Sequence, residues 1–234
     1  MLAIIIPVYN EEEILRDNVH RLHEYLNQCH IEHEIVISNN GSSDRTLDIA
    51  NELAATNSWV KAVNTENRGV GVAFALGVKS TEAEFVVCLD ADLSSDLVFL
   101  KYANNLLHYA DMVVGSKAMG KQRRSVARVF GSHLYIFFAQ FVFNLAVSDF
   151  SVGSKAYKRE SIISAMPFID AWTGFTIELC LFLEAHNKRI VQIGIDCDDK
   201  RKSRFSLLHE GFYRYYHIYR CWQLRKTKTS WLYN

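Results

Sequence analysis

Short apolar runs alternate with stretches of helical periodicity along the first half of the chain, and each apolar run breaks on a polar turn. Leu2-Ala3-Ile4-Ile5-Ile6 is the first run; Pro7 stops it, Val8-Tyr9-Asn10-Glu11-Glu12 follows, and a helix begins after that. Glu34-Ile35-Val36-Ile37-Ser38 is the second, leading into Asn39-Asn40-Gly41-Ser42-Ser43-Asp44, whose last residues suit the cap of a helix over residues 45 to 55. Trp59-Val60-Lys61-Ala62-Val63 repeats the pattern, with the turn Asn64 to Gly69 and a helix over residues 70 to 79. A fourth run, Val86-Val87-Cys88-Leu89, ends in Asp90-Ala91-Asp92, and Val113-Val114-Gly115-Ser116-Lys117 reads as a further strand end. Strands and helices in this alternation predict βαβ units, an α/β fold and a mostly parallel sheet, with ligands outside the carboxyl ends of the strands. The polar turns after the first four runs fall at such ends.

The second half has a different texture. Residues 126 to 147 form an apolar stretch of nearly membrane-spanning length, but Ser132, His133, Gln140 and Asn144 interrupt it and Arg123, Arg124 and Arg128 precede it. That pattern fits an interfacial or core helix better than a lipid-exposed span. From Lys200 onward nine basic residues face the single acid Glu210, although the net charge of the 234-residue chain is zero. Aromatic residues lie among those charges, which predicts a membrane-surface contact for residues 207 to 234 behind a main unit over residues 1 to 206. The alternative is a helix that packs Phe212, Tyr216 and Tyr219 onto the core. No nucleic-acid recognition motif accompanies the basic run, so nucleic acid is not expected as a partner.

The remaining composition excludes several classes. Five scattered cysteines without a Cys-x-x-Cys pair argue for reduced thiols and against a disulfide framework or structural zinc. Nine histidines show no zinc-protease spacing, and Met1 leads into the first strand without a signal-peptide pattern, so a cytoplasmic setting is expected. About half the residues are hydrophobic, enough to bury one sizeable core.

Two carboxylates one residue apart at a strand end suit a hard divalent cation, which carboxylates and substrate phosphates hold together. Asp90 and Asp92 do not stand alone. Ile5-Ile-Pro-Val-Tyr-Asn-Glu11, Asn40-Gly-Ser-Ser-Asp44, Asn67-Arg-Gly-Val-Gly-Val-Ala73 and Asp90-Ala-Asp-Leu-Ser94, in this order and spacing, resemble the inverting family 2 glycosyltransferases. Asp149 to Arg159 and Arg201 to Ser206 resemble the dolichol-phosphate mannose synthase branch of that family.

The resemblance implies a GT-A fold and transfer of mannose or glucose, from GDP-mannose or UDP-glucose, to a dolichyl or polyprenyl phosphate. It implies Mg²⁺ or Mn²⁺ held by Asp92 and Ser94, with Asp90 orienting the ribose or the metal's waters. Pro7, Tyr9, Glu11, Ile37, Asn39, Asp90, Ala91, Asp92, Lys117, Arg201 and Arg204 are the implied donor contacts, and Asp90, Asp92 and Arg204 the catalytic set. Arg128, Asp149, Ser151 and Lys155 are the implied acceptor contacts. Asn39 stands where relatives commonly carry Asp, so the base, guanine or uracil, stays open; Lys117 and Lys155 replace arginines. Peripheral attachment to the cytoplasmic face of a membrane, with a possible membrane-anchoring subunit, follows from the same likeness.

A hydroxyl acceptor needs a general base, commonly an acidic residue near the start of the helix that begins here around Gly174. The chain reads Ala171-Trp-Thr-Gly-Phe-Thr176 instead, which suits a phosphate acceptor that is already ionised. Glu178, one turn further on, is the remaining carboxylate in reach.

Overall fold

The computed structural model describes residues 1–121, 126–150, 153–197, 207–227 and 230–233; the side chains of 126–130, 132 and 207–210 are outside that description. In chain order the elements are β1 (Leu2–Val8), α1 (Leu15–Gln28), β2 (His33–Asn40), α2 (Thr46–Thr56), β3 (Val60–Thr65), α3 (Val70–Ser80), β4 (Phe85–Cys88) and α4 (Val98–Leu106). The second half adds β5 (Met112–Ser116), α5 (Val126–Phe143), β6 (Lys155–Lys158), α6 (Arg159–Ile162), α7 (Phe175–Ala185), β7 (Ile190–Gly194) and α8 (Leu207–Lys226).

Seven strands form one sheet in the order β3-β2-β1-β4-β6-β5-β7. All neighbours are parallel except β6, which runs antiparallel to both β4 and β5. The expected α/β fold with a mostly parallel sheet is the one observed. Successive residues of β1 point to opposite faces. Leu2, Ile4 and Ile6 pack with α1, α2 and α4, while Ala3 and Ile5 pack with α3, α5, α7 and α8. Helices therefore cover both faces, which explains why β1 is apolar throughout rather than alternating.

Pro7 does not stop β1. Ile5 turns its carbonyl toward β4, accepting from the Leu89 N–H at 3.0 Å. Pro7, two residues on, faces the same side beyond Ile5, where β1 has outrun its pairing with β4, so its missing N–H leaves no ladder bond unmade. This lets β1 and β2 reach Val8 and Asn40, carrying polar side chains to one edge of the sheet.

The apolar stretch from Val126 is helical only to Phe143, and among the described residues no helix is long and apolar enough to cross a membrane. Ile218 and Cys221 of α8, with Leu232, belong to the same core as Ala3 and Ile5 of the first strand. The C-terminal segment thus packs into the main core. The alternative packing of α8 is not observed: Phe212, Tyr216 and Tyr219 are 80%, 64% and 53% exposed, and Tyr213, His217 and Cys221 face inward instead.

Candidate active site

Four loops meet at the carboxyl ends of β1, β2, β3 and β4, and hydrogen bonds stitch them together. Asn10, in a left-handed conformation, donates its backbone N–H to Ser42 Oγ at 3.0 Å and accepts the Ser43 N–H on its side chain at 2.8 Å. The Glu11 N–H reaches Thr46 Oγ1 at 2.8 Å, and the Arg45 N–H reaches Glu12 at 3.0 Å. Asp44 accepts from the Thr46 N–H at 3.0 Å, as a residue just ahead of a helix should. Burial alone would raise its pKa, but bonds from Thr46 and Glu12 hold it below the usual carboxylate range. Asn40 ties β1 to α3, donating to Val8 O at 2.8 Å and accepting from the Gly69 N–H at 3.2 Å. These asparagines are structural residues that the motif reading passed over; their signal was their place immediately after strands.

Asn39 sits between Val8 and Asn64 in the register of β1 and β3. It is 1% exposed, its amide donates to Asn64 Oδ1 at 2.7 Å, and its own Oδ1 has no hydrogen-bond donor among the described residues. A buried acceptor without a donor is costly, and its presence beside the cleft marks a place where a ligand N–H fits. Ile37, expected among the donor contacts, is fully buried. It lies on the same strand face two residues earlier, so its side chain forms core beneath the pocket rather than pocket wall.

Pro7, near the end of β1, and Tyr9 and Glu11, in the loop that follows it, are half-buried. The Tyr9 ring carries the Arg68 guanidinium 4.1 Å from its centroid, and the same guanidinium lies 5.9 Å from the Trp172 ring. Arg68 therefore joins the β3 turn to the loop before α7, a role with no signal in the sequence.

The Gly69-Val70-Gly71 turn that opens α3 packs against this loop. The Gly71 N–H donates to Ala171 O and Trp172 O, both at 3.0 Å, and a Cβ at Gly71 would lie 1.9 Å from Asp170 O. Carbonyl oxygens of this loop occupy part of the helix N-terminus that an anion would otherwise take.

At the end of β4, Asp90 is exposed, Asp92 is half-exposed and Ala91 is buried. Asn18 fixes Ala91 by donating to its carbonyl at 2.9 Å. Asp92 accepts the Ser94 N–H at 3.0 Å, across Leu93 at φ +49°. A buried leucine in the left-handed region is a strained element, and here it turns the chain sharply between the two implied metal-binding residues. The Asp90 pKa is raised, by desolvation first and by the charge of Asp92 next, against the opposing pull of Lys155 and Lys117 and the Gly153 N–H. The Gly153 N–H donates to Asp90 at 3.2 Å, and a Cβ at Gly153 would sit 2.5 Å from the carboxylate, so glycine is required for that approach. Two oxygen-donor side chains that repel each other in one cleft fit a hard divalent cation.

Beside Asp90 lies a buried ionic cluster. Lys155 pairs in register with Cys88 on β4 and Val114 on β5 and is 1% exposed. Desolvation lowers its pKa, partly offset by the neighbouring carboxylates of Asp149 and Asp90. Asp149 is fully buried; it accepts the Lys117 N–H at 3.2 Å and stands 3.8 Å from Lys117 Nζ. The expected acceptor contacts of Asp149 and Lys155 differ from this placement. Both are enclosed: the Asp149 carboxylate faces Lys117 and interacts with Lys155, whose charge also acts on Asp90.

A second clasp holds the loop before α7. Asp170 accepts from the Trp172 N–H at 2.9 Å, the Gly174 N–H at 3.1 Å and the Tyr213 hydroxyl. Glu178 is fully buried, accepts the Asp170 N–H, lies 3.1 Å from His217 Nε2 and accepts from Arg220 at 3.4 Å. Glu178 is therefore an ion-pair residue in the core rather than an accessible base. Candidate ligand atoms of Glu178, His217 and Cys221 lie within 4.8 Å of one another, but Arg220 places its positive charge on the same carboxylate. A Cβ at Gly174 would meet the His217 ring at 2.5 Å, which accounts for glycine at the start of α7. Ser151, Arg201 and Arg204 lie outside the described residues, and Arg128 lies on α5 with its side chain outside them.

Residues 3–164 match the family model described as Glycosyl transferase family 2. An undecaprenyl-phosphate 4-deoxy-4-formamido-L-arabinose transferase of Pseudomonas fluorescens (strain Pf0-1) is 29% identical over 167 residues, covering 70% of this chain and 48% of the relative. A dolichyl-phosphate beta-glucosyltransferase of Trichomonas vaginalis is 24% identical over 227 residues, covering 88% of this chain and 68% of the relative. The chain spans about half the length, or less, of the first curated relatives it matches. Among solved structures, mannosyl-3-phosphoglycerate synthase from Rubrobacter xylanophilus superposes with a TM-score of 0.72 at 16% identity, over 97% of this chain and 74% of that one. Glucosyl-3-phosphoglycerate synthase from Mycobacterium tuberculosis, solved with Mn²⁺, uridine-diphosphate-glucose and phosphoglyceric acid, gives 0.69 at 16% identity, over 95% of this chain and 80% of that one. At such identities the solved structures establish the fold. Together with the family match over more than half its length, they identify the chain as a member of glycosyl transferase family 2 with the GT-A fold.

Proposed function

We propose that the protein transfers a hexose from a nucleotide sugar to a polyprenyl or dolichyl phosphate, with inversion at the anomeric carbon. The observation that carries this reading is the burial of Asp170 and Glu178, the carboxylates nearest the position where a hydroxyl acceptor would need a base. A phosphate monoester needs no such base, being ionised at neutral pH. The relatives named for transfer to undecaprenyl and dolichyl phosphate support the same acceptor class.

An acceptor phosphate oxygen attacks the anomeric carbon, the bond from that carbon to the donor's β-phosphate oxygen breaks, and a nucleoside diphosphate leaves with the electron pair. Asn39 Oδ1 accepts an N–H of the base, and Tyr9 and Glu11 flank the nucleoside. Asp92 and Ser94 would hold Mg²⁺ or Mn²⁺, which when bound offsets negative charge growing on the leaving diphosphate. Asp90 orients the ribose or the metal's waters. Lys117, Asp149 and Lys155 form the buried cluster whose positive charges act on Asp90, and Arg128, Ser151, Arg201 and Arg204 are assigned to the phosphates of acceptor and donor. Mannose from GDP-mannose and glucose from UDP-glucose are the leading donors, and the site of action is a membrane surface.

Incubation with radiolabelled donors and dolichyl or undecaprenyl phosphate tests this. An acid-labile lipid product that vanishes with chelator is expected. Labelling of an oligosaccharide alone, or nucleotide binding without turnover on any acceptor, would overturn it.

A further inference from the structure

Asn39 and Asn64 lie in register on β2 and β3 and form an amide pair near the carboxyl ends of those strands. The Asn39 amide donates to Asn64 Oδ1 at 2.7 Å, while Asn39 Oδ1, buried with the rest of that side chain, has no donor among the described residues. Asn64 is exposed. One end of the pair is therefore dry and unmet, and the other is in water. A buried polar atom left without a partner marks a position for a ligand group of the opposite sense.

Neighbouring asparagines lack this freedom. Asn40 donates to Val8 O and accepts from the Gly69 N–H, and Asn10 accepts the Ser43 N–H. A backbone N–H only donates and a carbonyl only accepts, so each of these two amides has one permitted orientation. Asn39 faces a second amide instead, which can either donate or accept. A half-turn of both amides about their terminal torsions leaves their shape unchanged and keeps the bond between them, now with Asn64 Nδ2 donating to Asn39 Oδ1. Asn64 loses nothing, because water meets either of its ends. The turn brings Asn39 Nδ2 to the position that Oδ1 held.

We propose that Asn64 sets which face Asn39 shows to the nucleotide base, and that the pair reads bases of both hydrogen-bonding senses. In one setting Asn39 accepts the ring N–H of uracil or guanine. In the other it donates to the bare ring nitrogen of cytosine, so cytidine diphosphate is bound as well as uridine or guanosine diphosphate. The inference rests on the proposed function in one respect, that Asn39 meets the base of a nucleotide donor.

A carboxylate at position 39 could not do this. When ionised it only accepts, and it would set its charge against the lone pair of the cytosine ring nitrogen. The neutral amide, free to turn with its partner, widens the class of donor that the site takes.

Titration calorimetry of the full chain with UDP, CDP and GDP in the presence of Mn²⁺ tests the inference without any acceptor. Wild type is expected to bind UDP and CDP within about tenfold of each other, since each finds one hydrogen bond of the right sense. Asn64→Asp places a group that only accepts beside Asn39, which must then keep its NH₂ on that carboxylate and its Oδ1 on the base. The ratio of UDP to CDP affinity should rise by about tenfold or more, because the cytosine ring nitrogen is left facing an acceptor. Asn39→Asp should move the ratio the same way. Thermal unfolding without nucleotide shows whether the variants fold; position 64 is exposed, so Asn64→Asp carries the test even where the buried carboxylate of Asn39→Asp prevents folding. Wild type that prefers UDP to CDP by more than about tenfold, wild type that binds GDP alone, or Asn64→Asp with the selectivity of wild type would overturn the inference and leave the proposed function standing. Failure of all three nucleotides to bind would overturn both.

Discussion

The N-terminal and C-terminal halves use acidic residues in opposite ways. Asp90 and Asp92, at the end of the fourth strand, are exposed and half-exposed, and they repel one another. Asp149, Asp170 and Glu178, all further along the chain, are 0%, 6% and 0% exposed and are spent on lysine, arginine, histidine and backbone N–H groups. Open acids can meet a ligand; enclosed and paired acids hold elements in place. The difference separates chemistry from scaffolding more sharply than residue type does.

Substitutions can break or sharpen that contrast. The largest effect is expected from Asp92→Ala, which should reduce transfer on the order of 10²–10³-fold or more while leaving thermal unfolding unchanged, with chelation producing the same loss in wild type. Initial-rate assays beside calorimetry would show whether activity and stability separate in this way. Lys155→Met should do the reverse in origin. It removes a buried cation from beside Asp149 and Asp90 and should destabilise the fold by roughly 3–5 kcal/mol, measured by denaturant unfolding. If Lys155→Met left stability untouched and raised only the acceptor KM, the lysine would belong with the open residues.

Asn39→Leu is expected to raise the donor KM by about tenfold with kcat little changed, matching one lost hydrogen bond of about 1–1.5 kcal/mol. The smallest effect is structural: Asp44→Ala should cost about 1 kcal/mol at neutral pH, as the hydrogen bonds from the Thr46 and Glu12 N–H groups are lost. The Asp44 pKa is depressed in the folded protein, so its contribution is present above the ordinary carboxylate range and fades as pH falls through the folded-state value. The difference in Tm between wild type and Asp44→Ala should accordingly shrink in acid.

The halves also differ in how far the sequence discloses them. Strand ends carrying Asn39, Asp44, Asp90 and Asp92 were readable, because βαβ punctuation puts polar turns where ligands bind. Pro7 misled about the length of β1, since its effect depends on which neighbour strand it faces. Lys155 and Asp149 read as surface contacts because burial is set by register: only pairing with Cys88 and Val114 encloses the lysine. The Asp170 clasp and the Arg68 bridge between Tyr9 and Trp172 join residues far apart in sequence, and no local pattern announces them.

The central claim is that the end of β4 grips a cation and a nucleoside diphosphate through Asp92. A crystal soaked with manganese and a nucleoside diphosphate tests it most directly, through the anomalous signal of the metal. The result expected is a peak about 2 Å from an Asp92 carboxylate oxygen, with the diphosphate completing the coordination. An ordered nucleotide bound away from that aspartate, with no manganese peak beside it, would contradict the claim.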